Sequence, residues 1–139
     1  SLAGMLALRP DYLLLDEPTS GLDPMGAHRF METLVRLKRE GGMGIVLATH
    51  DMDMAPVFCD RVALIRRGSI VCQGKTWRVF QDVSLIRDAD LRLPRVAHLV
   101  EILCRKDGLG NGPLPLTIGE ARRAIVGRSR CMRTPRKKL

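Results

Sequence analysis

LLLDEPTSGLD, residues 13–23, is the stretch that decides the fold of this chain of 139 residues. Its first three residues extend an apolar run that begins at the preceding Tyr12, and this run, Tyr12 to Leu15, ends at two acids. A short, uninterrupted apolar run of this kind is typical of a strand buried on both faces. Pro18 to Gly21 is rich in turn-forming residues and predicts a loop. The stretch therefore predicts a strand whose carboxyl end carries two carboxylates and leads into a turn.

A helix and a second strand follow the loop. Asp23-Pro24 predicts the start of the helix, because Asp is a good N-cap and Pro suits the first helical position. Gly41-Gly42 ends it. Gly44 to Thr49 predicts a second buried strand, which ends at His50. The apolar face of the helix is formed by Ala27, Phe30, Met31, Leu34, Val35 and Leu37.

The remaining chain predicts a hairpin and further helices. Asp51 can cap a short helix through Phe58, and apolar segments flank Arg67-Gly68 as in a β-hairpin. Leu93-Pro94 opens a helix whose apolar residues are Val96, Leu99, Val100 and Leu103. Residues 117–120 have the form of a capping box, which predicts a last helix to about Val126.

Strands that alternate with helices indicate an α/β fold with a parallel sheet and covering helices. The strand signals fade beyond Thr76, and we place a boundary near residues 80–84. Residues 1–80 then form the α/β part, residues 81–127 a small, mainly helical extension, and residues 128–139 a basic tail. The opening residues 2–8 have the composition of a helix interior, so the sequence is expected to be a fragment.

Charge and composition narrow the function classes. Residues 120–139 carry eight of the 23 Lys and Arg and one of the 15 acids, so the rest of the chain is nearly neutral. Such a tail could bind nucleic acid or anionic lipid headgroups, or form a solvated terminus. No apolar run approaches the roughly 20 residues that span a bilayer. The four cysteines form no C-x-x-C pair, which favours free thiols.

Two predicted parallel strands end in residues that can bind a cation or transfer a proton, Asp16-Glu17 and His50. Because ligands lie beyond the carboxyl ends of parallel strands, these residues are expected at one edge of the sheet. Asp16 could hold the divalent cation of a nucleotide, and Glu17 could orient or deprotonate an attacking water. The alternative is that the two acids only end the strand and begin the turn.

The residues after these acids favour a role in cation binding and catalysis over a purely structural one. Residues 13–24 resemble, without a gap, the Walker B strand and the residues that follow it in ATP-binding-cassette (ABC) ATPases. This resemblance implies the C-terminal part of a P-loop NTPase fold, with ATP and Mg²⁺ as cofactors. It also implies that Asp16 is the magnesium carboxylate, Glu17 the catalytic glutamate and His50 the switch histidine that contacts the γ-phosphate.

The same resemblance assigns Ser20 to Asp23 to the D-loop, with Ser20, Gly21 and Asp23 at the ATP and dimer interface. For Asp23 this role can coexist with that of a helix N-cap. The P-loop, Q-loop and signature motifs of the family are not found in the sequence. Gly74-Lys75-Thr76 resembles the end of a P-loop, but Ser69 stands where that motif needs glycine. We therefore expect the fragment alone to be inactive, and the assigned roles concern a full-length ATPase.

Residues 89–96 and 114–117 resemble the C-terminal extension of cobalt/nickel-type energy-coupling-factor ATPases, an extension that helps two ATPase subunits pair. This implies an importer ATPase at the cytoplasmic face of the membrane, with a second ATPase subunit and transmembrane subunits as partners. The cargo would be a transition-metal ion or a vitamin.

Two other functions remain open. One is a soluble ABC ATPase that acts on nucleic acid or ribosomes, and the other is a non-catalytic remnant. A nucleic acid partner is disfavoured because no aromatic residue after Phe80 is available to stack on bases.

Overall fold

The computed structural model describes residues 2–108 and 112–132, with no side-chain description from residue 128 onward. The chain forms two compact units, Ser1–Asp51 and Met52–Leu139. We call them unit 1 and unit 2 and describe each by itself.

Unit 1 has the alternation of strands and helices that the sequence predicts. The strands are parallel, and Tyr12 pairs with Gly44 at one end while Asp16 pairs with Ala48 at the other. The predicted α/β arrangement is therefore confirmed here. Its elements are α1 (Leu2–Ala7), β1 (Tyr12–Asp16), α2 (Pro24–Gly41) and β2 (Gly44–Ala48).

The ends of α2 follow local rules. Asp23 is its N-cap, and the Asp23 Oδ1 atom accepts hydrogen bonds from the backbone N–H groups of Met25 and Gly26, both at 3.0 Å. Gly42 ends the helix with a φ of 65°, in the left-handed region that favours glycine. Both ends of the helix were therefore readable from the sequence.

Among the described residues of unit 1, helix α2 covers one face of the sheet, and this differs from the prediction of strands buried on both faces. Leu13 is 3% exposed, and Met31 and Leu34 of α2 are also buried. Tyr12 and Leu14 are both 72% exposed. Alternate side chains of a strand point to opposite faces, and α2 packs against just one of them. We call the other side, which presents Tyr12, Leu14 and Val46, the bare face.

Unit 2 contains the predicted hairpin, followed by helices. Strands β3 and β4 pair in antiparallel fashion on either side of Arg67-Gly68, whose φ angles are 49° and 77°. Two positive φ angles define the type I′ turn that suits the twist of a hairpin. The elements are α3 (Ala55–Phe58), β3 (Arg61–Arg66), β4 (Ser69–Lys75), α4 (Thr76–Val79), α5 (Val83–Asp88), α6 (Arg95–Lys106) and α7 (Ile118–Met132).

The core of unit 2 extends across the boundary expected at residues 80–84. Phe80, Ile86 and Ala97 are fully buried in one apolar cluster, to which residues from Met52 to Leu116 contribute. Helix α5 was not predicted, and it supplies Ile86 to this cluster. The compact units divide after Asp51, and Phe80 packs with residues on both sides of the expected boundary.

The start of α3 differs from expectation, and the first turn of α6 is capped by a distant residue. Helix α3 begins later than a cap at Asp51 predicts, at Ala55 after Met54, and has Pro in its first turn. Helix α6 begins after Pro94, as predicted, but the side chain that caps it comes from elsewhere. The Asp53 Oδ1 atom accepts the Arg95 N–H at 2.7 Å, because Pro94 offers no side-chain acceptor.

Helix α6 also turns a charged side chain inward. Glu101 is buried, whereas Leu99, predicted on the apolar face, is 52% exposed. The Arg87 Nη2 atom donates to both carboxylate oxygens of Glu101, at 3.0 and 2.9 Å. The Arg105 Nη2 atom lies 3.1 Å from Glu101 Oε1. Burial of this carboxylate is offset by the two guanidinium groups.

The last helix starts as the capping box predicts. Thr117 Oγ1 accepts the Glu120 N–H at 3.2 Å, and Glu120 Oε2 accepts the Leu116 N–H at 2.8 Å. The helix runs to Met132, past the expected end near Val126. Residues 133–139, most of the predicted basic tail, lie outside the described residues. In the part of the chain that the structure describes, no helix has the length and apolar character that a bilayer crossing needs.

Candidate catalytic site

The two parallel strands of unit 1 end at the same edge. Asp16 pairs with Ala48, and the next residue, Glu17, donates its backbone N–H to the Ala48 carbonyl at 2.9 Å. The residues that follow the strands, Glu17 after β1 and Thr49-His50 after β2, are therefore neighbours. This is the edge that the sequence predicted for Asp16, Glu17 and His50.

The backbone turns sharply at Glu17. Its φ is 42°, in the left-handed region, which costs a non-glycine residue about 1–2 kcal/mol. The Glu17 carbonyl accepts the Ser20 N–H at 3.0 Å, while the Glu17 N–H is bonded to Ala48. Hydrogen bonds on both sides of the residue hold this conformation, so the chain leaves the strand direction in one step.

The Glu17 carboxylate is held by residues that follow β2. Its Oε1 atom accepts the His50 backbone N–H at 3.0 Å and lies 2.7 Å from His50 Nδ1. Its Oε2 atom accepts a longer hydrogen bond, of 3.4 Å, from Thr49 Oγ1. The side chain of Glu17 is 36% exposed and that of His50 is 79% exposed. Both groups therefore remain accessible to water and to a ligand.

These contacts keep Glu17 ionised. The hydrogen bond from the His50 side chain is the largest cause that lowers the pKa of Glu17 below its ordinary value. Desolvation opposes this shift of the pKa, while the His50 backbone amide, the His50 charge and the Thr49 hydroxyl add to it. An ionised carboxylate next to an imidazole can orient a water molecule and accept its proton.

The loop after Glu17 exposes the three residues predicted at an interface, Ser20, Gly21 and Asp23. Gly21 has a φ of 79°, and a Cβ atom there would meet nothing within 4 Å. Backbone conformation, not space, therefore requires glycine at this position. Asp23 is engaged as the cap of α2, as predicted. The D-loop roles of these residues remain predictions.

Asp16 fits one kind of metal site. It is exposed at the end of β1. Across the described residues, no group of three or more His, Cys, Asp or Glu side chains could hold a metal ion. A cation at Asp16 would therefore need ligands from outside this part of the chain. Mg²⁺ commonly takes one or two carboxylates together with phosphate oxygens and water. The donor set thus fits the cation of a magnesium nucleotide.

The structure brings Glu17 and His50 into direct contact and adds Thr49, which sequence reasoning missed as a site residue. Its only sequence signal was a hydroxyl residue directly before His50 at the end of a strand. The other histidines in the sequence, His28 and His98, are exposed on helices. Nothing beyond the resemblance assigns the magnesium and γ-phosphate roles, so these remain predictions.

The chain is similar to known proteins over most of its length. The chain is 54% identical over 126 residues to a putative ABC transporter ATP-binding protein of Methanothermobacter marburgensis. It is 49% identical over 128 residues to the energy-coupling factor transporter ATP-binding protein EcfA of Methanocaldococcus jannaschii. These matches cover 90% and 91% of this chain but 45% and 44% of the relatives. The chain thus spans less than half the length of these curated relatives.

A solved structure is similar as well. It is that of cbiO1 from Clostridium perfringens, described as part of the ABC transporter complex cbiONQ. The TM-score is 0.57 and the sequence identity is 46%, over 73% of this chain and 40% of that protein. No family model matches the chain.

Proposed function

Since this chain is a homologue of ABC transporter ATP-binding proteins, we propose that it belongs to an ATPase that drives an importer. The sheet edge that carries Glu17 and His50 would hydrolyse the ATP, and we call it the hydrolytic edge. The observation that carries the proposal is the Glu17 carboxylate, tied to His50 beyond the ends of two parallel strands. The reaction is hydrolysis of ATP to ADP and phosphate.

In this proposal Glu17 acts on the attacking water. Its carboxylate orients the water toward the γ-phosphorus and takes up its proton as the new P–O bond forms and the bond from the γ-phosphorus to the oxygen of the departing ADP breaks. His50 holds Glu17 through Oε1 and contacts the γ-phosphate with its exposed ring. Positioning of this kind carries most of the catalysis in phosphoryl transfer, since the protein makes no covalent bond to the phosphate.

Asp16 would hold the magnesium ion of the nucleotide, which supplies positive charge against the phosphate oxygens. The exposed loop from Ser20 to Asp23 would contact a second ATPase subunit, identical or different. The phosphate-binding loop of the family has no counterpart in this sequence, so the nucleotide would be held largely by segments other than those described.

The importer part of the proposal rests on relatives named as energy-coupling factor transporter ATP-binding proteins and on cbiO1, part of the cbiONQ complex. We propose that transmembrane subunits are partners, that the ATPase works at the cytoplasmic face of the membrane, and that the cargo is a cobalt or nickel ion or a vitamin. These relatives favour a transporter over a soluble ATPase that acts on nucleic acid.

The test is Glu17→Gln in the full-length ATPase assembled with its membrane partners. We expect ATP hydrolysis to fall by at least about 100-fold, because the amide cannot accept the proton of water. Nucleotide-bound dimers should accumulate, which size-exclusion chromatography with ATP would detect.

A matched control is Glu32→Gln on the exposed side of α2, where the carboxylate lies 3.6 Å from His28. This control should hydrolyse ATP at the wild-type rate. If Glu17→Gln also hydrolyses at that rate, Glu17 has no role in the reaction and the proposed hydrolytic edge is refuted.

A further inference from the structure

Resting on the proposed function, we infer that Thr49 is a positioning residue that fixes the plane of the Glu17 carboxylate through its second oxygen. The observation is the pair of contacts made by the Thr49 hydroxyl. It donates to Glu17 Oε2 at 3.4 Å and accepts the Asp51 N–H at 3.1 Å.

His50 alone does not fix this carboxylate. Both of its contacts, from the backbone N–H and from Nδ1, reach the same oxygen, Oε1. The last torsion of a glutamate side chain has a broad energy minimum, so a carboxylate held by one oxygen can still turn about that contact. A partner on Oε2 removes this freedom, and Thr49 is the residue that provides it.

The direction of the Thr49 hydroxyl follows from its other contact. A hydroxyl carries one hydrogen and two acceptor lone pairs. The Asp51 N–H occupies a lone pair, and the ionised Glu17 carboxylate can only accept. The hydroxyl hydrogen is therefore directed at Glu17 Oε2. Thr49 is also stiff at χ1, since it is β-branched, and it follows the last residue of β2 directly.

This arrangement also distinguishes the two oxygens of Glu17. Oε1 has two close partners from His50, whereas Oε2 has a single, longer contact. Oε2 therefore keeps room to accept a proton from water. Thr49 sets the direction of that oxygen without touching the reacting atoms itself, so it acts through Glu17.

The experiment compares Thr49→Val with Thr49→Ser in the full-length ATPase with its membrane partners. Valine keeps the shape and removes the hydroxyl, and serine keeps the hydroxyl. For Thr49→Val we expect kcat to fall about three- to tenfold with the KM for ATP unchanged, the effect of one lost hydrogen bond to a charged group. Thr49→Ser should restore kcat to within about twofold of wild type.

The matched control is Thr33→Val, which removes a hydroxyl that donates to the Arg29 carbonyl on the exposed side of α2. It should leave both kcat and KM unchanged. If Thr49→Val does not fold, as judged by thermal unfolding, Thr49→Ala takes its place with the same expected loss of kcat.

Three results would overturn the inference. If Thr49→Val keeps the wild-type kcat while Glu17→Gln loses it, Thr49 does not position Glu17 but the proposed function stands. If KM rises as much as kcat falls, or if serine fails to rescue, Thr49 serves binding or folding instead. If the wild-type assembly hydrolyses no ATP, the proposed function fails and the inference fails with it.

Discussion

Replacement of Glu101 by alanine should destabilise unit 2 by about 2 kcal/mol. The side chain is 8% exposed and its carboxylate meets two guanidinium groups. A hydrogen bond to a charged group contributes about 1.5–3 kcal/mol to the free energy of unfolding. All the contacts of the Glu101 carboxylate together contribute about 1.5 kcal/mol, the lower end of this range. Arg87 and Arg105 are 47% and 67% exposed, so water can replace the lost carboxylate. Loss of the one buried methylene group, Cγ, adds about 0.8 kcal/mol.

Two further variants separate these contributions. Glu101→Met keeps the apolar stem and loses only the charge-assisted contacts, so it should cost about 1.5 kcal/mol or less. Asp90→Asn breaks the exposed contact between Arg66 Nε and Asp90 Oδ2, of 2.9 Å, and should cost less than about 1 kcal/mol. Asparagine also tolerates the φ of 59° at position 90, so the backbone there is not a second cause.

The assay is urea unfolding of the chain, followed by fluorescence of Trp77, its single tryptophan, which lies in unit 2. The free energy of unfolding is obtained by linear extrapolation for each variant. If Glu101→Ala costs no more than Asp90→Asn, burial does not decide the strength of these contacts and the reasoning is refuted.

Two other predictions concern the turn at Arg67 and the charge of Glu17. Arg67→Asn should stabilise unit 2 by about 0.5–1 kcal/mol in the same unfolding assay, because Asn tolerates the φ of 49° better than Arg. Arg92→Asn is the control. Equal changes in the free energy of unfolding for the two variants would contradict this prediction. The His50 contact lowers the pKa of Glu17 in the folded chain below its ordinary value of 4.5. The contact therefore stabilises the fold fully above pH 4.5, and this stabilisation is lost as the pH falls through the lowered pKa of Glu17. An NMR titration of the Glu17 carboxyl carbon should therefore have a lower midpoint in the wild-type chain than in His50→Ala, and equal midpoints would refute this.

The parts of the fold that could be predicted are those fixed by neighbours in sequence. Asp23-Pro24 and Gly42 mark the ends of α2 because capping depends on a few adjacent residues. Arg67-Gly68 marks the hairpin because a two-residue turn needs positive φ angles. The contact of Glu17 with His50 was predictable because parallel strands bring their carboxyl ends to one edge.

What could not be predicted depends on residues distant in sequence. The bare face of unit 1 follows from which surfaces α2 covers, and an apolar run does not reveal that. Glu101 lies inside because Arg87, from a helix that was not predicted, reaches its carboxylate. The contact of Thr49 with Glu17 depends on a side-chain direction across 32 positions of sequence, which no periodicity encodes.

The cap of α6 has a consequence for the order in which unit 2 folds. Asp53 and the amide that it binds, on Arg95, are 42 positions apart. The entropy of closing such a loop must be spent before the hydrogen bond can form, whereas the hairpin turn at Arg67-Gly68 closes between neighbours. We therefore expect the hairpin to form early and the first turn of α6 to become fixed only when the chain between Asp53 and Pro94 has collapsed.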